Sequence, residues 1–210
     1  VKTEAPPPAL SDGWGAADDT KLTDLMVPKI LLQQPLSGGV SAGVSRPGQF
    51  LDSIDGTVLA DDKFPLRVII FDSNRTVMTK TNGKFSGVEP VTEANKDLEW
   101  EERDAQGNEI KRTFFLNFFC LVLDAKDGLS FPYVWGCHGK SMSVAKRLLT
   151  AFARMKASGV PSAAHVYQVS SVQEKNDKGT YYVPVVTKFR DAKPEEIATA
   201  RKWYDDIRSS

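Results

Sequence analysis

From Gln49 onward apolar and polar positions alternate in short runs broken by turn residues, a pattern that predicts β structure. Phe50–Ile54 and Thr57–Leu59 flank Asp55-Gly56, a hairpin turn. Leu66–Phe71 and Thr76–Thr81 read as two further strands joined by Asp72-Ser73-Asn74-Arg75, with a loop at Asn82-Gly83. Leu98–Arg103 and Glu109–Asp124 flank the turn Gln106-Gly107-Asn108. Thr113–Leu123 breaks the alternation. It is apolar on both faces apart from Asn117, which predicts a central strand covered on both sides and places its phenylalanines in the core. Asp127-Gly128 then turns the chain into Phe131–Cys137.

After Cys137 the period changes. Ser141 is placed to cap a helix that runs to about Lys156 and is stopped by Gly159 and Pro161. Val144, Leu148, Ala151, Phe152 and Met155 form one apolar arc. Lys146 falls opposite that arc, while Arg147 and Arg154 share one flank of it. His165–Lys175 and Tyr181–Phe189 form a closing hairpin, and Pro194 opens a last helix with Ile197, Ala200, Tyr204 and Ile207 on one face. Upstream, LMVPKILLQ reads as an extended edge segment and residues 36–48 as a Gly/Ser loop. Hairpin-linked strands with one helix inserted before the last hairpin predict a mainly β fold with α: a Greek-key barrel of the oligonucleotide-binding (OB) type. The expected organisation is a flexible, slightly acidic arm over 1–24, an OB-like nucleic-acid-binding domain over 25–190 and a C-terminal helix over 191–210.

Charge changes the picture because it is unevenly placed. The whole chain is neutral, with 27 basic and 27 acidic residues. Yet His138 to Arg190 holds nine Lys or Arg against Glu174 and Asp177, and no acid occurs from Gly128 to Gln173. A solvated helix usually mixes signs through i,i+4 pairs; charge of one sign makes a field that attracts polyanions. A cationic surface carrying exposed rings suits a single-stranded nucleic acid, since cations track phosphates and rings stack with unpaired bases. The candidate contact residues are Tyr133, Trp135, Lys140, Lys146, Arg147, Arg154, Lys175, Lys178, Tyr181, Tyr182 and Lys188. Phe131, Tyr133 and Trp135 share one face of their strand, and either one of them meets a base or they pack under the helix. Tyr181 and Tyr182, being adjacent on a strand, point to opposite faces.

Other chemistries find little support. Gly136-Cys137-His138-Gly139-Lys140-Ser141 imitates a phosphate-binding P-loop, but that motif needs glycine where this chain has Val134, and no βαβ units surround it. Lys140 with the N–H groups of the helix start could still hold one backbone phosphate; the competing reading is a tight connection only. No hydrolase or metalloprotease motif is present, and Cys137 and His138 are too nearly back to back for a catalytic dyad. Cys120 and Cys137 with His138 and His165 lack the spacings of zinc sites, so buried thiols and no cofactor or metal are expected. The acidic pairs Asp61-Asp62, Glu101-Glu102 and Asp205-Asp206 could hold Mg²⁺ in a nuclease, but sit in polar surroundings. No apolar run spans a membrane and the N-terminal region lacks a signal pattern, so a cytoplasmic, non-enzymatic protein is expected.

AHVYQVSSVQEKNDKGTYYVPVV, following a strand, a GKS loop and a basic helix, resembles the C-terminal half of phage-encoded single-stranded DNA-binding proteins. PKILLQQPLS…PGQFLDSIDGTVL is similar to the opening of phage proteins from replication and recombination modules. The resemblance spans roughly residues 27–190. It implies an OB barrel that coats single-stranded DNA without sequence preference in the host cytoplasm, with replication or recombination proteins as further partners and a homo-oligomer as an open possibility. Many such proteins end in a long acidic tail, whereas this sequence ends KWYDDIRSS. The alternative from another class is a non-enzymatic structural or interaction protein, a virion component or an inhibitor of a host enzyme.

Overall fold

Three short strands, β1 (Ile30–Leu32), β2 (Phe50–Asp52) and β3 (Val58–Ala60), form a small antiparallel sheet in that order. The computed structural model describes residues 26–61, 63–123, 129–177 and 179–209. The arm expected over 1–24, the Asp127-Gly128 turn and Lys178 lie outside them. The 36–48 loop contains one short helix, α1 (Gly38–Ser41).

The main sheet has seven strands: β4 (Leu66–Thr81), β5 (Lys84–Pro90), β6 (Glu101–Arg103), β7 (Glu109–Leu123), β8 (Leu129–Cys137), β9 (His165–Asn176) and β10 (Gly179–Asp191). Its path is β10-β9-β4-β7-β6, with β5 added to β4 and β8 to β7. Helix α2 (Met142–Ala157) is inserted between β8 and β9, and α3 (Pro194–Ser209) closes the chain. The mainly β architecture with one inserted and one C-terminal helix is as the pattern predicts. The barrel is not: the sheets do not close, and the backbone of the segment leading into the small sheet meets the large one at a parallel bridge between Lys29 and Val134, backed by Val134 N–H donating to Pro28 C=O at 2.8 Å.

The two predicted strands 66–71 and 76–81 are one continuous strand. Its register against β7 shifts between Ile70 and Asp72, so Phe71 is a bulge rather than the start of a turn. The bulge also exchanges the faces. Before it, Val68 and Ile70 pack with Phe118 and Cys120 under the small sheet and α2; after it, Asp72 faces α3, where Arg208 clasps it through two bonds of 2.9 Å. The Asn82-Gly83 loop is the tight turn into β5, with Asn82 at φ 50° and Gly83 at φ 77°.

β7 is covered on both sides, as its composition predicts. Leu116, Phe118, Cys120 and Val122 join Ile30, Phe50, Trp135 and Leu148 in one core. Leu121 and Leu123 join Ile69, Val166 and Ala200 in the other, with Trp203, Tyr204 and Ile207 of α3 above them. Ser141 does not cap α2: its hydroxyl accepts from His138 N–H at 2.9 Å and donates to His138 C=O at 2.7 Å, closing a 3₁₀ turn before the helix.

Candidate functional site

Four pieces of chain meet around a cleft of about 1040 Å³. They are the segment 29–39, the middle of the main sheet, the loop from β8 into α2, and the far end of the β9–β10 ribbon. Asn74, Thr76, Phe115 and Asn117 line it from the sheet, Lys140 and His138 from the loop, Tyr181 and Tyr182 from the ribbon, and Lys29 from the first segment. No Asp or Glu is among the described lining residues.

The sheet positions this floor by its bulge. After Phe71 the even residues of β4 share a face with the odd residues of β7, so Asn74 and Asn117 come together. Asn117 Nδ2 donates to Asn74 Oδ1 and to Thr76 Oγ1, each at 3.0 Å. Gly136 permits the approach of β8, because a Cβ there would sit 3.1 Å from Asn117 Oδ1. Phe115 packs on His138 with ring centroids 4.8 Å apart. Burial holds the His138 imidazole below its ordinary pKa, so this ring is neutral at pH 7.

The ribbon supplies the opposite wall. Tyr182 lies over Gly48, whose φ of +87° and lack of a side chain leave room for the ring. The Tyr182 hydroxyl donates to Gln173 Oε1 at 3.2 Å and that of Tyr181 to Glu174 Oε2 at 2.7 Å. The Glu174 carboxylate raises the Tyr181 phenol above its usual pKa, so Tyr181 is a neutral ring, and both tyrosines have part of their surface open.

The candidate cations fall into three groups. Lys140 stands exposed at the cleft, just before α2, whose first N–H groups no side chain caps. Lys146, Arg147 and Arg154 are exposed on α2 and line one shallow concavity with Thr150 and Ala151. No ion pair engages Lys140, Lys146, Arg147 or Arg154 among the described residues. Lys188 is different: its Nζ lies 2.6 Å from Asp191, which partly neutralises it. Lys175 is exposed on the ribbon, and Lys178 lies outside the described residues.

Two ring expectations change. Trp135 is 2% exposed and packs on Phe118 at 5.7 Å, so it belongs to the core and offers no face to a ligand. Tyr133 is half-buried, and its hydroxyl donates to Asp52 Oδ2 at 2.8 Å; burial with this bond pushes its pKa to about 12. Phe131 does not share their face, because the β7–β8 register shifts between Leu121 and Leu123 and turns Phe131 onto Trp203 of α3, 5.1 Å away. The core assignment holds for Phe118, but Phe115 lines the cleft. Lys29, Asn74, Asn117 and His138 were absent from the sequence candidates. Asn117 had a local sign, the one polar residue within an apolar run; Lys29 had none, because only its bridge to Val134 brings it there.

No group of three or more His, Cys, Asp or Glu among the described residues could hold a metal ion, and none of the described helices is long and apolar enough to cross a membrane. Residues 2–210 match the family of Pam3 phage gp34-like proteins. Neither a curated protein nor a solved structure matches the chain. The match covers nearly the whole sequence, and the chain belongs to that phage family.

Proposed function

We propose that this member of the Pam3 phage gp34-like family binds single-stranded DNA without sequence preference and protects it during phage replication or recombination, without catalysis. The observation that carries the reading is the cleft without carboxylates. In a chain with as many acids as bases, Lys29 and Lys140 stand with Phe115, Tyr181 and Tyr182 around a groove whose described lining has no negative charge. Cations beside partly open rings serve a strand's phosphates and its unpaired bases at once. Helix α2 extends the positive surface. At about 1.5 Å per residue, Arg154 lies roughly 20 Å along from Lys140, which gives a backbone several places to be neutralised.

The reading implies replication or recombination proteins as neighbours and the host cytoplasm as the place of work. Its test is binding of oligo-dT by the native chain against Lys29→Glu/Lys140→Glu. Loss of two phosphate contacts should weaken binding by roughly tenfold or more at moderate salt. Absence of saturable binding by the native chain would defeat the proposal.

A structural or interaction protein is the second reading. It draws on Phe64, Phe85 and Trp100, which are 73%, 66% and 66% exposed away from the cleft lining. That reading expects no response to poly-dT and capture of a protein partner that Trp100→Ala abolishes.

A further inference from the structure

β5 is an edge strand. It pairs with β4 on one side, and no described strand pairs with its other side. An open strand edge presents unpaired N–H and C=O groups and is a ready template for another strand. Its two large apolar side chains are open as well, with Phe85 66% and Val88 55% exposed.

These two residues are three apart, which in a regular strand would set them on opposite faces. The register prevents that. Gly87 pairs with Thr79 and Phe85 with Lys80, so Ser86 is an extra residue and a bulge. Val88 pairs with Met78 and Phe85 with Lys80, so Phe85 and Val88 lie on one face; Lys84, opposite Thr81, and Glu89, opposite Val77, lie on the other. No ion pair engages Lys84 or Glu89 among the described residues.

The sequence Lys84-Phe85-Ser86-Gly87-Val88-Glu89 is therefore self-complementary when read antiparallel to itself. We infer that two copies of this chain pair edge to edge along β5, antiparallel about a two-fold axis, with Lys84 opposite Glu89 of the partner subunit and Phe85 opposite Val88 of the partner subunit. Each two-fold contact occurs twice, as an isologous interface requires. One face of the joint then carries four apolar side chains and the other carries two ion pairs. The bulge is what makes this possible, since a two-fold axis normal to the sheet demands that facing residues share a face. Charge chooses the occupant: a strand with the same order of charges fits only when it runs antiparallel in this register, and a second copy supplies that strand. Val88 also lines the cleft, so the apolar side of this joint borders it, but the pairing does not rest on the nucleic-acid reading and would hold if the cleft bound nothing.

Sedimentation velocity through the micromolar range tests it. The native chain, 23.1 kDa as a monomer, should shift toward twice that mass as concentration rises. Lys84→Glu or Glu89→Lys alone sets like charges opposite each other at both pairs and should raise the dimer dissociation constant on the order of tenfold. The exchange Lys84→Glu/Glu89→Lys restores opposite charges and should restore the dimer. A native chain that stays monomeric, single variants that associate like the native chain, or an exchange that fails to rescue would each overturn the proposal. Rescue by the exchange cannot come from a folding defect.

Discussion

Gln34 holds Tyr182 by both ends of its amide. Gln34 Nε2 donates to Tyr182 C=O at 2.9 Å, and Tyr182 N–H donates to Gln34 Oε1 at 2.8 Å, across 148 residues of chain. The backbone polarity fixes which end of the amide is which. This clasp ties the segment leading out of β1 to the ribbon and so sets the width of the cleft. Gln34→Ala should cost about 1–3 kcal/mol of stability, read as a lowered melting temperature. Gln34→Glu keeps the acceptor, turns an oxygen toward Tyr182 C=O, and adds a negative charge to the cleft. It should weaken single-stranded DNA binding more than Gln34→Ala does; equal affinities for the two variants would show that the strand does not pass this wall.

Gly48 is the seat of the Tyr182 ring. A Cβ at this position would fall 2.7 Å from Tyr182 Cε1, on a backbone at φ +87°. Gly48→Ala should therefore cost about 1–2 kcal/mol for the left-handed backbone and about 1–3 kcal/mol for the displaced ring. Thermal unfolding measures the sum. An unchanged melting temperature would mean that the ring sits elsewhere in solution.

The rings divide into core and cleft, and their variants should divide likewise. Trp135→Ala empties a buried site and should cost about 3–5 kcal/mol of stability. Tyr181→Ala should leave stability nearly unchanged and lower affinity for oligo-dT by about five- to a hundredfold, since stacking is worth about 1–3 kcal/mol per base. Binding to duplex DNA, which offers no free base faces, should not respond to Tyr181→Ala. Calorimetric melting and fluorescence titration separate the two outcomes.

Much of this division could be read from the chain before folding. The both-sided apolarity of β7 and the turns at Asp55-Gly56 and Gln106-Gly107-Asn108 are local patterns that the structure keeps; the apolar arc of α2 is kept at Val144, Leu148, Phe152 and Met155, but Ala151 is exposed and Ala145 is buried in its stead. The bulges at Phe71 and near Phe131 are not local patterns. Each follows from how a strand must bend to serve two packing layers, and each moves side chains to the other face. For that reason the sequence pattern groups Phe131 with Trp135 and reads Asn74 as part of a turn, whereas the structure separates the first pair and sets Asn74 within β4. In the cleft, Lys140, Tyr181 and Tyr182 were legible as charge and rings in one segment. Lys29 was not, because its place depends on a single bridge to a strand far along the chain.

Glu196 is a buried carboxylate at the start of α3. Its side chain is 3% exposed and accepts two bonds from Arg190, at 2.7 and 2.8 Å, and one from Lys193 N–H at 2.7 Å. The Arg190 guanidinium, helped by that backbone N–H, holds the carboxyl below its ordinary range against the opposing effect of burial. A carboxyl depressed on folding contributes stability that is fully present above its unfolded pKa and is lost as pH falls through the folded value. Glu196→Ala should cost about 3 kcal/mol at neutral pH by removing the carboxylate that accepts two bonds from Arg190 and one from Lys193 N–H. Glu196→Gln should differ most from the native chain at neutral pH and converge with it below the carboxylate range. Chemical denaturation across pH checks the sign; a gap that widened on acidification would contradict it.

The central claim is that α2 and the cleft together neutralise the backbone of a single strand. Fluorescence titration with poly-dT over a series of salt concentrations tests it most directly. With about four contacts among Lys29, Lys140, Lys146, Arg147 and Arg154, log K should fall against log salt with a slope near −3, at about −0.7 per contact. Lys146→Glu/Arg154→Glu should reduce the steepness by roughly 1.4 and weaken binding by about tenfold or more. Its melting temperature should stay in place, because both side chains are exposed. A slope near zero, or no saturable binding at any salt, would contradict the account.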